Sequence, residues 1–522
     1  MSVQKLSPNY QEDIKRKLKN EGDCPAILFL IIDFVFLKMV QDLTQKLDAK
    51  FDGKKGRPAY PRALLLIIVM YCFYENINSY KAMAKECKKN KFILIIMDNK
   101  TPSKNTFTNF LNNSDEDTIQ RIFVATLVLL NDLKVLNIAK VFIDGTDVIV
   151  RGSRYYYIKQ KDLKVMTQLN EWNLLHDGSP ESIQNTINGL KIKLEEYKDD
   201  KEMIKLINHV LRRIKIYKVS VYEKRERYEK EFEKRGDVRL SIIFPESVYM
   251  QTKKLIFDFA FNLQEVMTTN HIILTGLPLA QPNDQKVFKE VYQHLKYTIA
   301  LLLEMQEIYG ERRNYKEILL TFLIMKIVAD AGYFTTVNLY YIFINRINAL
   351  IMPKAQATEV NDKLRKKYGD FEKESESEEK FFTRVKGGFE CKFHEFLKFR
   401  EVIRIKHRKP QNKDLPDPCE TKRYVFSRKH CQDCPYLDEC KQKTELRIPF
   451  VIYWMTEKFL DLRQQIHYPA RLARSEGINA YHKTSTGILK LVGTTTTAVN
   501  NEIQIRNALY NLIRWNNLKE TN

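Results

Sequence analysis

The chain opens with apolar positions at helical spacing, turns to short unbroken apolar runs after residue 140, and returns to helical spacing at its end. Residues 1–135 read as helical throughout. Arg62–Tyr74 is strongly apolar, Ser79–Lys89 is amphipathic, and Thr101-Pro102-Ser103 resembles a helix start with a hydroxyl cap and an early proline. Val141-Phe-Ile-Asp144-Gly145 then reads as a buried strand ending in a turn. Its continuous apolar run fits a strand covered on both faces, as in a mixed α/β sheet. From Tyr157 to Arg239 charge dominates. Ile183, Ile187, Leu190, Leu194 and Tyr197 recur at helical spacing, and Met203, Ile207, Leu211, Ile214, Tyr217 and Val221 continue the stripe. With Asp199-Asp200 near the bend, this predicts an inserted helical hairpin whose charges form a solvated face or a DNA-tracking surface.

Strand signals resume at Leu255–Thr268 and His271–Ala280, and the short break between them predicts an antiparallel pair. Pro282-Asn283-Asp284 opens a helix to about Tyr309. Ile318–Ala329 reads as a second buried strand ending at Asp330-Ala-Gly332, Thr335–Asn345 as a helix and Ala349–Met352 as a short strand. Residues 355–447, basic and acidic by turns and rich in cysteine, form a second insertion, and the tail from about Thr456 is helical. The expected organisation is a helical N-terminal domain (1–135), an α/β core in three pieces (136–156, 241–354 and 448–522), a charged helical insertion (157–240) and a Cys-rich insertion (355–447).

At 44% hydrophobic and 11% aromatic, the 522 residues have the make-up of an ordinary globular protein. The charge departs from that: 86 Lys and Arg against 65 Asp and Glu leave +21. Such an excess favours a polyanion, most simply nucleic acid, through phosphate neutralisation and counterion release; a lysine-rich chain from an AT-rich genome would carry it too. Lys54, Lys55, Arg57, Lys88, Lys89 and Lys104 lie at the ends of short helices, as in a helix-turn-helix-like DNA-contacting module or a helical docking domain. The apolar runs Ala26–Val40 and Ile318–Ala329 fall short of the ~18–20 residues a membrane span needs, so no membrane association is expected. Eight cysteines without a signal-like segment point to a reducing, cytoplasmic setting.

The candidate chemistry is acidic. Asp144 and Asp330 each end an apolar run, and Glu476 stands among basic residues in Tyr468-Pro-Ala-Arg471, Arg474-Ser-Glu476 and Tyr481-His-Lys483. Cutting and joining DNA needs an activated oxygen nucleophile and a stabilised leaving oxygen, which two Mg²⁺ ions about 3.5–4 Å apart can supply. Mg²⁺ prefers carboxylate oxygen and keeps several waters, so few acidic ligands suffice. Lys483 lies two helical turns beyond Glu476 and could grip a phosphate beside the scissile bond; Arg471 or Arg474 could do the same. Asp147 and Asp284 compete with this set on composition alone.

In Gly56-Arg-Pro-Ala-Tyr-Pro61, Thr101 through Phe110, Asp144-Gly-Thr146, Phe261-Asn-Leu-Gln264, Asn283-Asp284, Ala329-Asp-Ala-Gly-Tyr-Phe334, Ser475-Glu476 and Asn507 through Arg514, the chain resembles bacterial insertion-sequence transposases of the DDE superfamily with an InsH-like N-terminal domain. The resemblance implies an RNase H-like mixed sheet core with Asp144, Asp330 and Glu476 as catalytic metal ligands for two Mg²⁺ or Mn²⁺ ions. It also implies a helical N-terminal region that binds the double-stranded terminal inverted repeats. A Tyr, Arg, Glu, Lys signature around the third acid is filled by Tyr468, Arg471, Glu476 and Lys483. Four residues separate Arg471 from Glu476 where the pattern has three, so Arg474 stands as an alternative. Holding two DNA ends and a target implies a homodimer on DNA. A transposase-derived DNA-binding protein without catalysis and a related metal-dependent nuclease are the competing classes.

Cys431-Gln-Asp-Cys434 with Cys440 has the spacing of a zinc knuckle, completed by Cys419, Cys391 or a nearby histidine such as His430; reduced cysteines in a small basic loop are the alternative. Cys24, Cys72 and Cys87 sit in apolar helical contexts and are expected in the core.

Overall fold

The computed structural model describes residues 6, 7, 9–50, 59–252, 255–353, 382–385, 388–391, 396–405, 421–427, 435, 436, 445–461 and 491–521. Eight helices come first: α1 (Tyr10–Glu21), α2 (Ala26–Val35), α3 (Lys38–Ala49), α4 (Arg62–Tyr74), α5 (Tyr80–Lys89), α6 (Lys91–Ile96), α7 (Lys104–Asn113) and α8 (Glu116–Asp132). Local caps set several starts. The Ser79 hydroxyl accepts the Ala82 N–H, Asn90 accepts those of Phe92 and Ile93, and Asp115 accepts that of Thr118. α4 is apolar on all sides and is buried from Arg62 to Phe73, as an all-round apolar helix must be. Cys72 and Cys87 are fully buried, and Cys24 packs partly buried against the same core. The expected start at Thr101 moves: Ser103 is the cap, its hydroxyl accepting the Thr106 N–H at 3.3 Å, and Pro102 stays outside the helix.

The strands and the first insertion follow as β1 (Lys140–Ile149), β2 (Tyr157–Ile158), α9 (Gln160–Glu171), α10 (Pro180–Glu196), α11 (Lys201–Arg212), α12 (Val219–Tyr222), α13 (Arg225–Arg235), β3 (Leu240–Ser241), β4 (Val248–Gln251), β5 (Phe257–Thr268) and β6 (Ile273–Leu279). The hairpin expected around Asp199-Asp200 is α10 and α11, with Asp200 capping α11. Its core includes Leu169, Leu190, Ile207, Val210 and Tyr217, organised around a buried carboxylate. Burial would raise Asp162, but the Lys159 N–H, His209 and Arg213 outweigh it and hold the carboxyl below its usual range. Arg213 reaches both oxygens, at 2.9 and 2.8 Å.

Next come α14 (Phe288–Tyr309), α15 (Arg312–Ile324), β7 (Lys326–Ala329), α16 (Thr336–Ile344) and β8 (Ala349–Ile351). The run Ile318–Ala329, expected as one strand, is divided: residues to Ile324 end α15 and only Lys326–Ala329 is extended. An unbroken apolar run does not distinguish helix from strand by period. Here Leu320, Leu323 and Ile324 face solvent, 64–72% exposed, while Ile318 turns inward. The second insertion contributes β9 (Phe382–Val385), β10 (Gly388–Cys391), β11 (Phe396–Ile405), β12 (Thr421–Ser427) and β13 (Glu445–Pro449), an antiparallel sheet in order β13-β12-β11-β10-β9. α17 (Phe450–Leu460) and α18 (Thr496–Thr521) complete the described elements.

In the main sheet β1 is central. β5 lies antiparallel on one side with β4 and β6 along its far edge; β7 and then β8 lie parallel on the other. One apolar cluster runs without break from Ile14 in α1, through α4 and α8, into β1, β7 and β8 and on to Leu512 in α18. α18 is unusual in burying polar side chains, for which the free edge of β6 gives a reason. Asn511 receives the Ile273 N–H at 3.0 Å and donates to the Ile273 carbonyl at 2.8 Å, and Gln504 donates to the Gly276 carbonyl at 2.9 Å. These amides satisfy backbone groups that an open edge would leave unpaired.

Candidate active site

Asp144 belongs to the middle of the central strand, not to its end. The turn expected at Gly145 is absent because β1 keeps pairing with β5 as far as Ile149↔Ala260. β7 is shorter and stops at Ala329, which is opposite Ile143. The next residues, Asp144 and Asp330, therefore leave neighbouring parallel strands side by side, where strand spacing is about 4.8 Å. Both are half-buried. The Gly145 N–H donates to Asp144 Oδ1 at 3.1 Å, and the Gly332 N–H donates to Asp330 Oδ1 at 2.8 Å as Asp330 caps the turn Ala331–Tyr333.

Asp284 joins them. Its Oδ1 accepts Asn262 Nδ2 at 2.8 Å and Gln264 Nε2 at 2.7 Å, and Gln264 also donates to Asn262 Oδ1. Asn262 and Gln264 alternate along β5 on one face, the face onto which Gly145 opens. A β-carbon at Gly145 would lie 2.6 Å from Asp284 Oδ1, and one at Gly332 would lie 3.2 Å from Asp284 Oδ2 and 2.9 Å from Asp330 Oδ1. Two glycines thus admit one carboxylate between the segments that carry Asp144 and Asp330. The surrounding turns are tied to each other: the Tyr333 hydroxyl donates to Gln264 Oε1, Asn338 Nδ2 donates to the Asp284 and Tyr333 carbonyls, and Thr335 donates to the Gln285 carbonyl. Three fragments distant in sequence, Asn262–Gln264, Asn283-Asp284 and Asp330–Phe334, converge here. Composition alone offers Asp284 only as a competitor, and the roles of Asn262, Gln264 and Tyr333 emerge only when β5, α14 and β7 are assembled.

Next to Gln264 but on the other face of the sheet, Glu265 stands directly opposite Asp144, buried on β5. Hard carboxylate oxygens of this kind suit Mg²⁺. Among the described residues, however, no three His, Cys, Asp or Glu side chains form a metal-holding group. Glu476 lies outside the described residues, as do Tyr468, Arg471, Arg474 and Lys483. The chain leaves the described part after Asp461 and re-enters at Leu491, whose N–H donates to the Ile149 carbonyl at 2.9 Å. The next two N–H groups, of Val492 and Gly493, donate to Glu502 Oε2 at 2.8 and 2.9 Å. Leu491 is thus fixed at the end of the strand that carries Asp144, and Val492 and Gly493 on α18.

Of the cysteine set, Cys419, Cys431, Cys434 and Cys440 lie outside the described residues, while Cys391 is buried beside Leu397 at the end of β10. Lys88, Lys89 and Lys104 are exposed, Lys89 beside Glu86 at 3.2 Å; Lys54, Lys55 and Arg57 lie outside the described residues. Among the described residues no helix is long and apolar enough to cross a membrane.

No curated protein and no solved structure matches the chain. Residues 13–113, which span α2 to α7 and most of α1, match the model of a family described as a transposase domain (DUF772). That match supports a transposase family for this chain, by similarity across its N-terminal helices.

Proposed function

We propose that the chain is a DDE transposase that binds the double-stranded terminal inverted repeats of an insertion sequence, cuts the DNA at their ends and joins it to target DNA. The observation that carries this reading is the adjacency of Asp144 and Asp330 on neighbouring parallel strands. A central strand flanked by an antiparallel hairpin on one side and two parallel strands on the other supports an RNase H-like core. The transposase-domain match over residues 13–113 and the charge of +21 support DNA as the partner.

In this reading Asp144, Asp330 and Glu476 hold two Mg²⁺ or Mn²⁺ ions. Bound there, such ions activate an oxygen nucleophile and stabilise the leaving oxygen. The protein's own part is to fix the acids. The Gly145 and Gly332 N–H groups orient one oxygen each of Asp144 and Asp330. Asp284, held by Asn262 and Gln264, keeps the β1 and β7 segments at a constant separation. Tyr468, Arg471 or Arg474, and Lys483 contact DNA phosphates near the scissile bond. A structural Zn²⁺ held by ligands drawn from Cys391, Cys419, Cys431, Cys434 and Cys440 orders the second insertion. The protein works in the cytoplasm as a homodimer on DNA.

Strand transfer separates this function from simple cutting. Given pre-cut element ends with free 3′-OH groups, a supercoiled target and Mg²⁺ or Mn²⁺, the wild-type protein yields joined product and Glu476→Gln yields none. Cleavage of intact ends with no joining at all would identify a nuclease instead.

A further inference from the structure

We infer that a cluster of arginine and aromatic side chains at the root of the helical insertion is a stacking site for unpaired nucleotides of a DNA strand. The site forms where β3, β4 and the start of β5 meet the end of α13. A cavity of about 480 Å³ there is lined by Arg235, Val238, Arg239, Val248, Tyr249 and Phe257. The Tyr249 and Phe257 rings stack with centroids 5.6 Å apart and planes 27° from parallel. The Arg239 guanidinium lies 4.8 Å from the Tyr249 centroid and 5.0 Å from that of Tyr157.

Three observations turn this from a packing detail into a binding surface. Phe257 is 50% exposed, although an aromatic ring at the start of a core strand gains by burial. Arg239 is exposed, and among the described residues no carboxylate pairs with it; its guanidinium lies against the Tyr249 and Tyr157 rings. Arg235, by contrast, is tied to the Pro245 and Ser247 carbonyls at 3.1 and 3.0 Å, which makes the cavity wall firm. The Tyr249 and Tyr157 rings are already covered, by Arg239 and Phe257 and by Arg213 and Arg239, so the half-exposed Phe257 ring is the surface left for a base, and the exposed Arg239 guanidinium beside it suits the phosphate. Duplex DNA buries its base faces in the stack, so such rings select an unpaired strand.

The location adds to this, and here the inference rests on the proposed catalytic reading. Asp144 is opposite Glu265 on β5, and Phe257 is eight positions further along the same strand. That is about 25 Å, or roughly seven nucleotides of stacked strand. The cluster lies beyond the C-terminal end of β1, the end to which Asp330 also points from β7. A DNA strand leaving the acids along β1 would reach it.

The test uses the full-length protein and a 16-nucleotide single strand of DNA carrying 2-aminopurine, beside the blunt duplex of the same sequence. Wild type should quench the 2-aminopurine on binding. Phe257→Ala and Tyr249→Ala should weaken single-strand binding about five- to a hundredfold and lose the quench, with duplex affinity changed less than twofold. Phe257→Tyr should behave as wild type. Arg239→Lys, at an exposed position, keeps the charge and loses the planar stack, so it carries the test even if the aromatic variants fail to fold. Equal losses on single strand and duplex, or no loss in folded variants, would overturn the proposal. Asp144→Asn leaves the stacking cluster intact. Retained quenching with normal DNA cleavage in that variant would refute the catalytic reading while leaving this one standing.

Discussion

At Gly145 a single hydrogen atom decides whether the candidate site can form. A β-carbon there would lie 2.5 Å from Gln264 Nε2, 2.6 Å from Asp284 Oδ1 and 2.9 Å from Asn262 Oδ1. Those three groups are bonded to one another and cannot all retreat. Gly145→Ala should therefore cost about 1–3 kcal/mol of stability, typical of overpacking, and should cut activity more than Asp284→Asn does. Thermal unfolding beside a cleavage assay measures both effects; an unchanged melting temperature in Gly145→Ala would contradict the packing described. At this scale the sequence singled out Asp144 and Asp330 as candidates, because an acid closing an apolar run is a local signal, but it did not show that β1 continues past Asp144. Asn262, Gln264 and Tyr333 carry no such signal. Their part depends on pairing β5 with β1 and seating α14 beside β7, contacts between residues far apart in the chain.

The helical insertion shows what one buried charge does for an element. Asp162 is fully buried and accepts from Arg213, from His209 at 3.1 Å and from Tyr217 at 3.0 Å. Asp162→Asn would leave the Arg213 guanidinium without its counter-charge at a cost of about 3 kcal/mol. Limited proteolysis should then cut within residues 157–240 first, and resistance equal to wild type would count against the hub. The pH dependence has a definite sign. The folded-state pKa of Asp162 is held below its unfolded value, so its stabilisation is present at neutral pH and is lost as pH falls below the ordinary carboxylate range. The α10–α11 hairpin was legible because its apolar stripe keeps one period across a charged background. The division of Ile318–Ala329 into α15 and β7 was not, since the outward leucines of α15 hide the period. The Asn507–Arg514 motif likewise has a structural partner only once β6 is known to present a free edge to α18.

Across the whole molecule, the two ends of the chain form one core. α18 packs on α2, α4, α7 and α8 as well as on β6. At the centre Arg506 and Glu502, both fully buried, pair at 2.9 Å; Arg506 also lies 3.7 Å over the Phe73 ring and donates to Asn78 at 2.7 Å. Glu502→Gln should destabilise the entire chain by about 3–5 kcal/mol, since it removes the counter-charge of a buried cation. A urea titration followed through α4 and the main sheet separately should show both transitions move together; movement of only one would divide the core. Through Glu502 the same helix also holds the Val492 and Gly493 N–H groups, next to Leu491 at the end of β1. Asp144 and Asp330 are proposed to act together on DNA. The most direct measurement is strand cleavage of DNA carrying the element's ends, with Mg²⁺ or Mn²⁺, by wild type, Asp144→Asn and Asp330→Asn, each first shown to bind the ends. Wild type should cut at the ends in a metal-dependent way and neither variant should cut, with binding nearly unchanged. Cutting that persists in either variant, or binding lost together with cutting, would contradict this proposal.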